Sequence, residues 1–413
     1  MKILFIHNYY QYAGGEDNVV AAELKLLAAH GHQVELWSVD NKDLPSGLRG
    51  KISTALNTTY SSSSKVTALS KLQTFNPDVV HVHNFFPQLS PSIYDACLEL
   101  NIPVVQTLHN YRLMCPGAML MRNGKICEQC VTGSPYQAVL YGCYKGSKLG
   151  SLVVAHMVAT HRKLGTWQHK VSRFIALTEF AKAKFIEAGF PADRIVVKPN
   201  FVNDPFIDFL PVARVNPPFG LFVGRLSTEK GLHTLLKAWS LLEQLKELKP
   251  DSSVHDVSDV SDKSKQDNSA IQLKIAGTGP LAELLDNQPN VQALGLQSPA
   301  EISVLMQQAA FLIFPSIWYE PFGLVLIEAL AHGLPVLTSN LGSMAAIIKD
   351  HETGLLFEPG NAEDLAAKVN WLLANPDECT RLGVNARQAY LDKYTAEKNV
   401  KQLLEVYSSI NSE

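Results

Sequence analysis

Short runs of aliphatic, β-branched and aromatic residues alternate along this chain with longer segments whose apolar positions recur at helical spacing. The series opens with KILFIHN, continues through the helical pattern VVAAELKLLAAHG, and then gives VELWSVD, DVVHVHN, VVQTLHN, FIALTEF and RIVVKPN. Strands alternating with helices predict a parallel, doubly wound sheet. An extended, proline-punctuated segment from Pro199 to Pro218 interrupts the pattern, which restarts as FGLFVGR, LKIAGTG, VQALG, FLIFPS and PVLTSN. The restart predicts a second α/β domain. With 413 residues, 46% of them hydrophobic, the chain can fill two cores, and single cores seldom grow past about 250–300 residues. The expected boundaries are 1–205 for the first domain and 206–393 for the second. Residues 249–270 read KPDSSVHDVSDVSDKSKQDNSA in their setting, with almost nothing to bury, and are expected to form a disordered insertion. Near the end, Val400, Leu403, Leu404 and Tyr407 fall at helical spacing behind Thr395 as a cap, which predicts a helix that docks on something.

Charge changes this picture in one respect. The net charge of −3 divides into +6 for residues 1–205, with 20 Lys/Arg against 14 Asp/Glu, and −9 for the remainder. No acid occurs between Asp43 and Asp78, or between Glu128 and Glu179, and the second gap holds Lys145, Lys148, Arg162, Lys163, Lys170 and Arg173. Such a face suits anionic lipid head groups or a phosphorylated acceptor, or it is an ordinary solvated basic surface. The sequence opens directly into KILFIHN, and its longest apolar stretches are far short of the roughly 20 residues that span a bilayer. A cytoplasmic location is expected, with peripheral contact at the inner face of an anionic membrane. No nucleic-acid partner is expected.

Several residues carry candidate chemistry. Gly14 and Gly15 follow the first strand, where adjacent glycines either let backbone amides approach a ligand or form a tight turn. A dinucleotide fingerprint G-x-G-x-x-G is missing there, which disfavours a nicotinamide dehydrogenase. In VGRLSTEKG, Arg225 and Lys230 stand five apart after a strand and suit a diphosphate that departs as a leaving group. In IWYEPFGLVLIEALAHG, Pro321 is placed to start a helix, which exposes the amides of Phe322, Gly323 and Leu324 at its positive end. Glu320 precedes that start and Glu328 is expected near the third turn, so two carboxylates become available for sugar hydroxyls. No Asp-x-Asp pair occurs to hold a metal on the diphosphate.

Taken together, these motifs resemble glycosyltransferase family 4, whose fold, GT-B, sets two Rossmann-like domains face to face across a cleft. The likeness covers nearly the whole chain: Gly14-Gly15, His109 in TLHNYR, Arg225 and Lys230 in GRLSTEKG, and Glu320 with Glu328 in EPFGLVLIE occur in the family's order. The resemblance implies that Arg225 and Lys230 neutralise the donor diphosphate and that Glu328 holds the ribose. It implies that Glu320 and the amides of Phe322, Gly323 and Leu324 orient the sugar, that His109 reaches it from across the cleft, and that Gly277 and Gly279 turn near the base. The alternative for His109 is a satisfied core histidine at a strand end. The terminal segment 394–413 is expected to return to the N-terminal domain. One position departs from the pattern: where family members carry an acid after a glycine, SNLGSMAAII offers Met344, Ala345 and Ala346.

The implied function is transfer of a sugar, with retention of anomeric configuration, from a UDP- or GDP-type nucleotide sugar to a glycan or lipid-linked acceptor of surface polysaccharide or glycolipid. No cofactor is needed for that chemistry. Two other readings stay open, a nucleotide-sugar epimerase of the same fold and a non-catalytic zinc-containing scaffold. Cys115, Cys127, Cys130 and Cys143 lie within 29 residues, and C-x2-C flanked by single cysteines fits either a structural zinc site or free thiols.

Overall fold

The computed structural model describes residues 1–11, 14–206, 217–247 and 271–410. The insertion expected at 249–270 lies outside them. The described chain forms two compact units, one of residues 1–203, 318–324 and 392–413, the other of residues 204–317 and 325–391. Trp318–Leu324 thus belongs with the first unit, although it lies inside the range that the sequence pattern assigns to the second domain.

The first unit is built on strands β1 (Lys2–Tyr9), β2 (Gln33–Asp40), β3 (Val79–Asn84) and β4 (Val104–Leu108), a small hairpin of β5 (Met121–Arg122) and β6 (Lys125–Ile126), and then β7 (Arg173–Ala176) and β8 (Ile195–Val197). All but the hairpin join one sheet in the order β2-β1-β3-β4-β7-β8, with every pair parallel. Because successive side chains point to opposite faces, the apolar strands supply two cores. Leu4, Ile6, Val80, Val82 and Phe174 face one side with Trp167 and Phe185. Ile3, Phe5, Val79, Val105 and Ile175 face the other.

That second face is covered by two helices far apart in sequence. The helix Gly15–Ala29 starts with the Gly14 amide donating to the Asp17 carboxylate at 3.0 Å, and buries Val19, Val20, Glu23 and Leu27 at helical spacing. Beside it lies the terminal helix Ala396–Ile410, which buries Val400, Leu403, Val406 and Tyr407.

The second unit repeats the plan with β9 (Phe219–Val223), β10 (Gln272–Ala276), β11 (Val291–Gly295), β12 (Phe311–Phe314), β13 (Val336–Ser339) and β14 (Gly354–Phe357). Their order is β11-β10-β9-β12-β13-β14, again all parallel. In each sheet the chain starts in the middle, moves to one side, and then crosses to the other. In open α/β sheets, ligands bind at this reversal, outside the carboxyl ends of the strands. The two places are the ends of β1 and β3 in the first unit, and of β9 and β12 in the second.

Candidate functional site

In the second unit the segment after β9 carries Arg225 and Lys230 and is held by backbone contacts from two sides. The Leu226 amide donates to the Thr278 carbonyl at 2.9 Å, and the Ile317 amide donates to the Glu229 carbonyl at 2.9 Å. Lys230 ends a single 3-10 turn, Thr228–Lys230, with its ammonium 5.2 Å from the ring centre of Phe314, the last residue of β12. Gly231 follows at φ +75°, and a Cβ there would stand 1.8 Å from the Pro315 carbonyl oxygen, so only glycine allows this turn to lie on the chain leaving β12. Arg225 is exposed. Both cations therefore stand at the reversal point of the second sheet.

Gly277 and Gly279 serve the same construction. A Cβ on Gly277 would meet the Gly224 carbonyl oxygen at 1.8 Å, and one on Gly279 the Leu226 carbonyl oxygen at 2.4 Å. Their smallness lets the chain leaving β10 pack on the backbone that presents Arg225.

The helix after β12 differs from expectation. It spans Leu324–Ala331 rather than starting at Pro321. Gly323 adopts φ +95°, a left-handed conformation that no α-helix contains, so Pro321, Phe322 and Gly323 form an approach to the helix and Glu328 falls on its second turn rather than its third. Glu328 is half-buried, and burial raises its carboxyl pKa above the ordinary 4.5. Glu320 is only 4% exposed, and its Oε1 accepts from the Trp318 indole N–H at 2.7 Å. Its segment is tied into the first unit: Tyr319 packs on Phe180 with ring centres 4.7 Å apart, Phe322 lies edge-on to Tyr394, and Leu324 sits where a Cβ on Gly15 would stand only 2.9 Å away. Gly15 and Leu324, expected on the donor, are thus placed against each other. Met344, the first of the three apolar residues named above in SNLGSMAAII, is fully buried.

His109 follows β4 in the first unit, 8% exposed, with Nε2 sharing a hydrogen bond with His83 Nδ1 at 2.9 Å. Burial first, and then the nearby charges of His7 and Lys198, push its pKa down to about 3, so the ring is neutral at physiological pH. It belongs to a line of polar groups on one face of the first sheet. His81 bonds Tyr407 Oη at 2.7 Å and Thr107 Oγ1 at 2.8 Å. Glu23 pairs with Lys198 at 2.6 Å, both nearly inaccessible, and its second oxygen lies 3.8 Å from His83 Nε2. No sequence motif marks this line, yet DVVHVHN and VVQTLHN place His81, His83, Thr107 and His109 at alternate positions, which puts each pair on the same side of a strand.

Glu16 and Arg112 were also missed. Tyr10 donates to Glu16 Oε2 at 2.8 Å, and Asn110 donates to the Tyr10 oxygen at 3.0 Å. Burial raises the Glu16 carboxyl to about 8, against lowering contributions from Tyr10, Asn110 and Arg112. Arg112 lies over the rings of Phe86 and Tyr144, at 4.6 and 5.1 Å.

Cys115, Cys127, Cys130 and Cys143 are free thiols gathered in one region, where Cys127 and Cys130 directly follow the β5–β6 hairpin. Burial, and then the other three thiols, raise Cys130 to about 12. No three of the four sulfurs lie mutually within 4.8 Å, whereas bonds of about 2.3 Å to a tetrahedral zinc set sulfurs about 3.8 Å apart. Among the described residues the group that meets the 4.8 Å spacing is Glu23, His81 and His83. His81 already uses both ring nitrogens there, and the Lys198 ammonium occupies the neighbourhood of Glu23.

Comparison with known proteins follows the same division. The profile of Glycosyltransferase Family 4 matches residues 13–205, and that of glycosyl transferases group 1 matches residues 205–389. A glycosyltransferase of Methanocaldococcus jannaschii is 29% identical over 195 residues, which cover 45% of this chain and 44% of that one. The chain thus spans about half the length of the first curated relatives it matches. The 2-deoxystreptamine N-acetyl-D-glucosaminyltransferase of Niallia circulans is 22% identical over 355 residues, or 81% of this chain and 77% of that one. Among solved structures, Anabaena HepE in complex with UDP-glucose superposes with a TM-score of 0.61 at 18% identity, covering 99% of this chain and 100% of its own.

Two parallel Rossmann-like units are the fold that the chain shares with solved glycosyltransferase structures. The chain belongs to family 4, the group 1 type, with its two halves matched in order by the two profiles. Among the described residues no helix is long and apolar enough to cross a membrane.

Proposed function

We propose that this protein transfers a sugar from a UDP- or GDP-type nucleotide sugar to a glycan or lipid-linked acceptor, keeps the anomeric configuration, and needs no metal for the transfer. The observation that carries the reading is the Gly231-pinned turn, which sets Arg225 and Lys230 at the reversal point of the second sheet. Two cations there can hold a pyrophosphate and stabilise it as it gains negative charge on leaving. Solved HepE binds UDP and UDP-glucose, which supports the donor class.

Glu328, as a carboxylate, accepts both vicinal ribose hydroxyls, and Glu320 with the amides of Phe322, Gly323 and Leu324 orients the sugar. Neutral His109 contributes a hydrogen bond rather than a proton. The attacking hydroxyl approaches on the face the diphosphate leaves, and its proton passes to the departing phosphate oxygen, so catalysis rests on orientation and on electrostatic support of the leaving group. A structural zinc in the cysteine region is a separate proposal. It is supported by C-x2-C after a tight hairpin, and it requires the ion to draw the four sulfurs together. Such an ion would stiffen the loop and take no part in transfer.

A thermal-shift panel of nucleotide sugars tests the main reading. One UDP- or GDP-sugar should raise the melting temperature of the wild type and fail to do so for Arg225→Ala with Lys230→Ala. Stabilisation that survives the double change refutes the diphosphate site, and conversion of the nucleotide sugar without any acceptor marks an epimerase instead.

A further inference from the structure

The helix Gly47–Thr59 in the first unit is inside out for a protein in water. Its apolar residues Leu48, Ile52 and Leu56 recur every fourth position, which makes one stripe, and they are 76%, 51% and 73% exposed. Its inward side is small and polar: Gly50 and Thr58 are buried, with Thr54 half-buried between them. The threonine hydroxyls are satisfied locally, Thr54 donating to the Gly50 carbonyl at 3.0 Å and Thr58 to the Thr54 carbonyl at 2.7 Å. A surface helix of a water-soluble unit normally orients these two faces the other way round.

The neighbouring helix Lys148–Lys163 extends the same character. The two pack side by side, and their carboxyl ends meet where His161 Nε2 bonds the Thr59 carbonyl at 2.8 Å. Leu149 is 77% exposed and Leu152 43%. Cations border the apolar residues, with Arg49, Lys51, Lys145, Lys148 and Lys163 all exposed. No acid occurs in the sequence from residue 44 to 77 or from 129 to 178. The other Lys and Arg residues of the second stretch serve the fold: Arg162 donates to the carbonyls of Cys130, Val131 and Gly133, Lys170 pairs with Asp95, and Arg173 donates to the Ser172 carbonyl.

We propose that this face docks the protein on an anionic lipid surface, with Leu48, Ile52, Leu56 and Leu149 inserted among the acyl chains and Arg49, Lys51, Lys145 and Lys148 on the head-group phosphates. Apolar insertion and a cationic border are the two signals that reversible membrane binding requires, and neither suffices alone. Charge selects this occupant over a second copy of the chain, since a self-complementary contact would oppose cations to cations. The inference stands on its own observations, and its failure leaves the sugar-transfer reading intact.

Co-sedimentation of the full chain with vesicles tests it. Wild type should bind phosphatidylcholine vesicles containing phosphatidylglycerol, and should release as salt is raised or when phosphatidylglycerol is omitted. Leu48→Ser, Ile52→Ser and Leu56→Ser together should lower partitioning about a hundredfold with an unchanged melting temperature, from the apolar area withdrawn. Arg49→Glu with Lys51→Glu should lower it at least about tenfold, and gives an independent check on a differently altered surface. Wild type that stays in the supernatant with anionic vesicles overturns the proposal. So does equal binding by either variant, or a dimer that the triple serine variant dissolves while vesicle binding is absent.

Discussion

Glu16 should hold a proton at neutral pH, and its replacement by glutamine should change how stability depends on pH. Its carboxyl ionises near 4.5 in the unfolded chain and near 8 in the folded one, chiefly because burial disfavours the charge. Between those values the folded state binds a proton that the unfolded state has released, so stability falls as pH rises, and the loss is complete above about 8. The full interval, about 3.5 units at roughly 1.36 kcal/mol each, sets a ceiling on the order of 5 kcal/mol. By area Glu16 is only partly buried, so solvent screening leaves roughly 2 kcal/mol to be measured. For a unit of this size that is a shift of about 4–8 °C. The assay is thermal denaturation of wild type and Glu16→Gln from pH 5 to 9, followed by circular dichroism and dye fluorescence. Glutamine keeps the size and an acceptor for the Tyr10 hydroxyl but cannot ionise. Its advantage over wild type should be small at pH 5, should grow through pH 6 and 7, and should level off above pH 8. Two curves that run parallel over the whole range refute the reasoning.

Arg225→Ala and Lys230→Ala should each weaken donor binding or turnover about 10–100-fold with the melting temperature of the free protein unchanged, as calorimetric titration with the nucleotide sugar would show. Since burial raises the Glu328 carboxyl, wild-type donor affinity should fall on acidification sooner than an ordinary carboxylate would cause. Glu328→Gln should bind weakly with a flat pH profile, and a profile identical to wild type would remove the ribose role. Leu403→Ala empties a fully buried position where the terminal helix meets the first sheet, and should cost about 2–5 kcal/mol in urea denaturation. Elemental analysis of purified protein should find about one zinc per chain and much less in Cys127→Ser with Cys130→Ser, while a metal-free wild type ends the zinc proposal.

The α/β alternation was legible in the chain because strand and helix periods are local properties of side-chain direction. The runs KILFIHN and DVVHVHN became β1 and β3, and FGLFVGR and FLIFPS became β9 and β12. Motif order was legible because it is read along the chain, whereas the placing of the turn Thr228–Lys230 also depends on distant backbone, the Thr278 carbonyl, the Ile317 amide and Pro315. The helix start at Leu324 was not, because proline at 321 is compatible with a helix and only the φ of Gly323 decides against it.

Tertiary structure alone determined what distant residues do to one another. Glu23 and Lys198 are 175 positions apart, and His81 and Tyr407 are 326 apart, yet each pair is in contact under one face of the first sheet. Period-2 spacing says that His81 and His83 share a side, but which helices cover that side depends on how the whole chain packs. The same holds for the exposed stripe of Leu48, Ile52 and Leu56: the sequence shows its spacing, and only burial of Gly50 and Thr58 on the opposite side shows that it faces outward. A sequence specifies the periodicity of its apolar positions locally, whereas the environment of each face is a sum over contacts that no short segment contains.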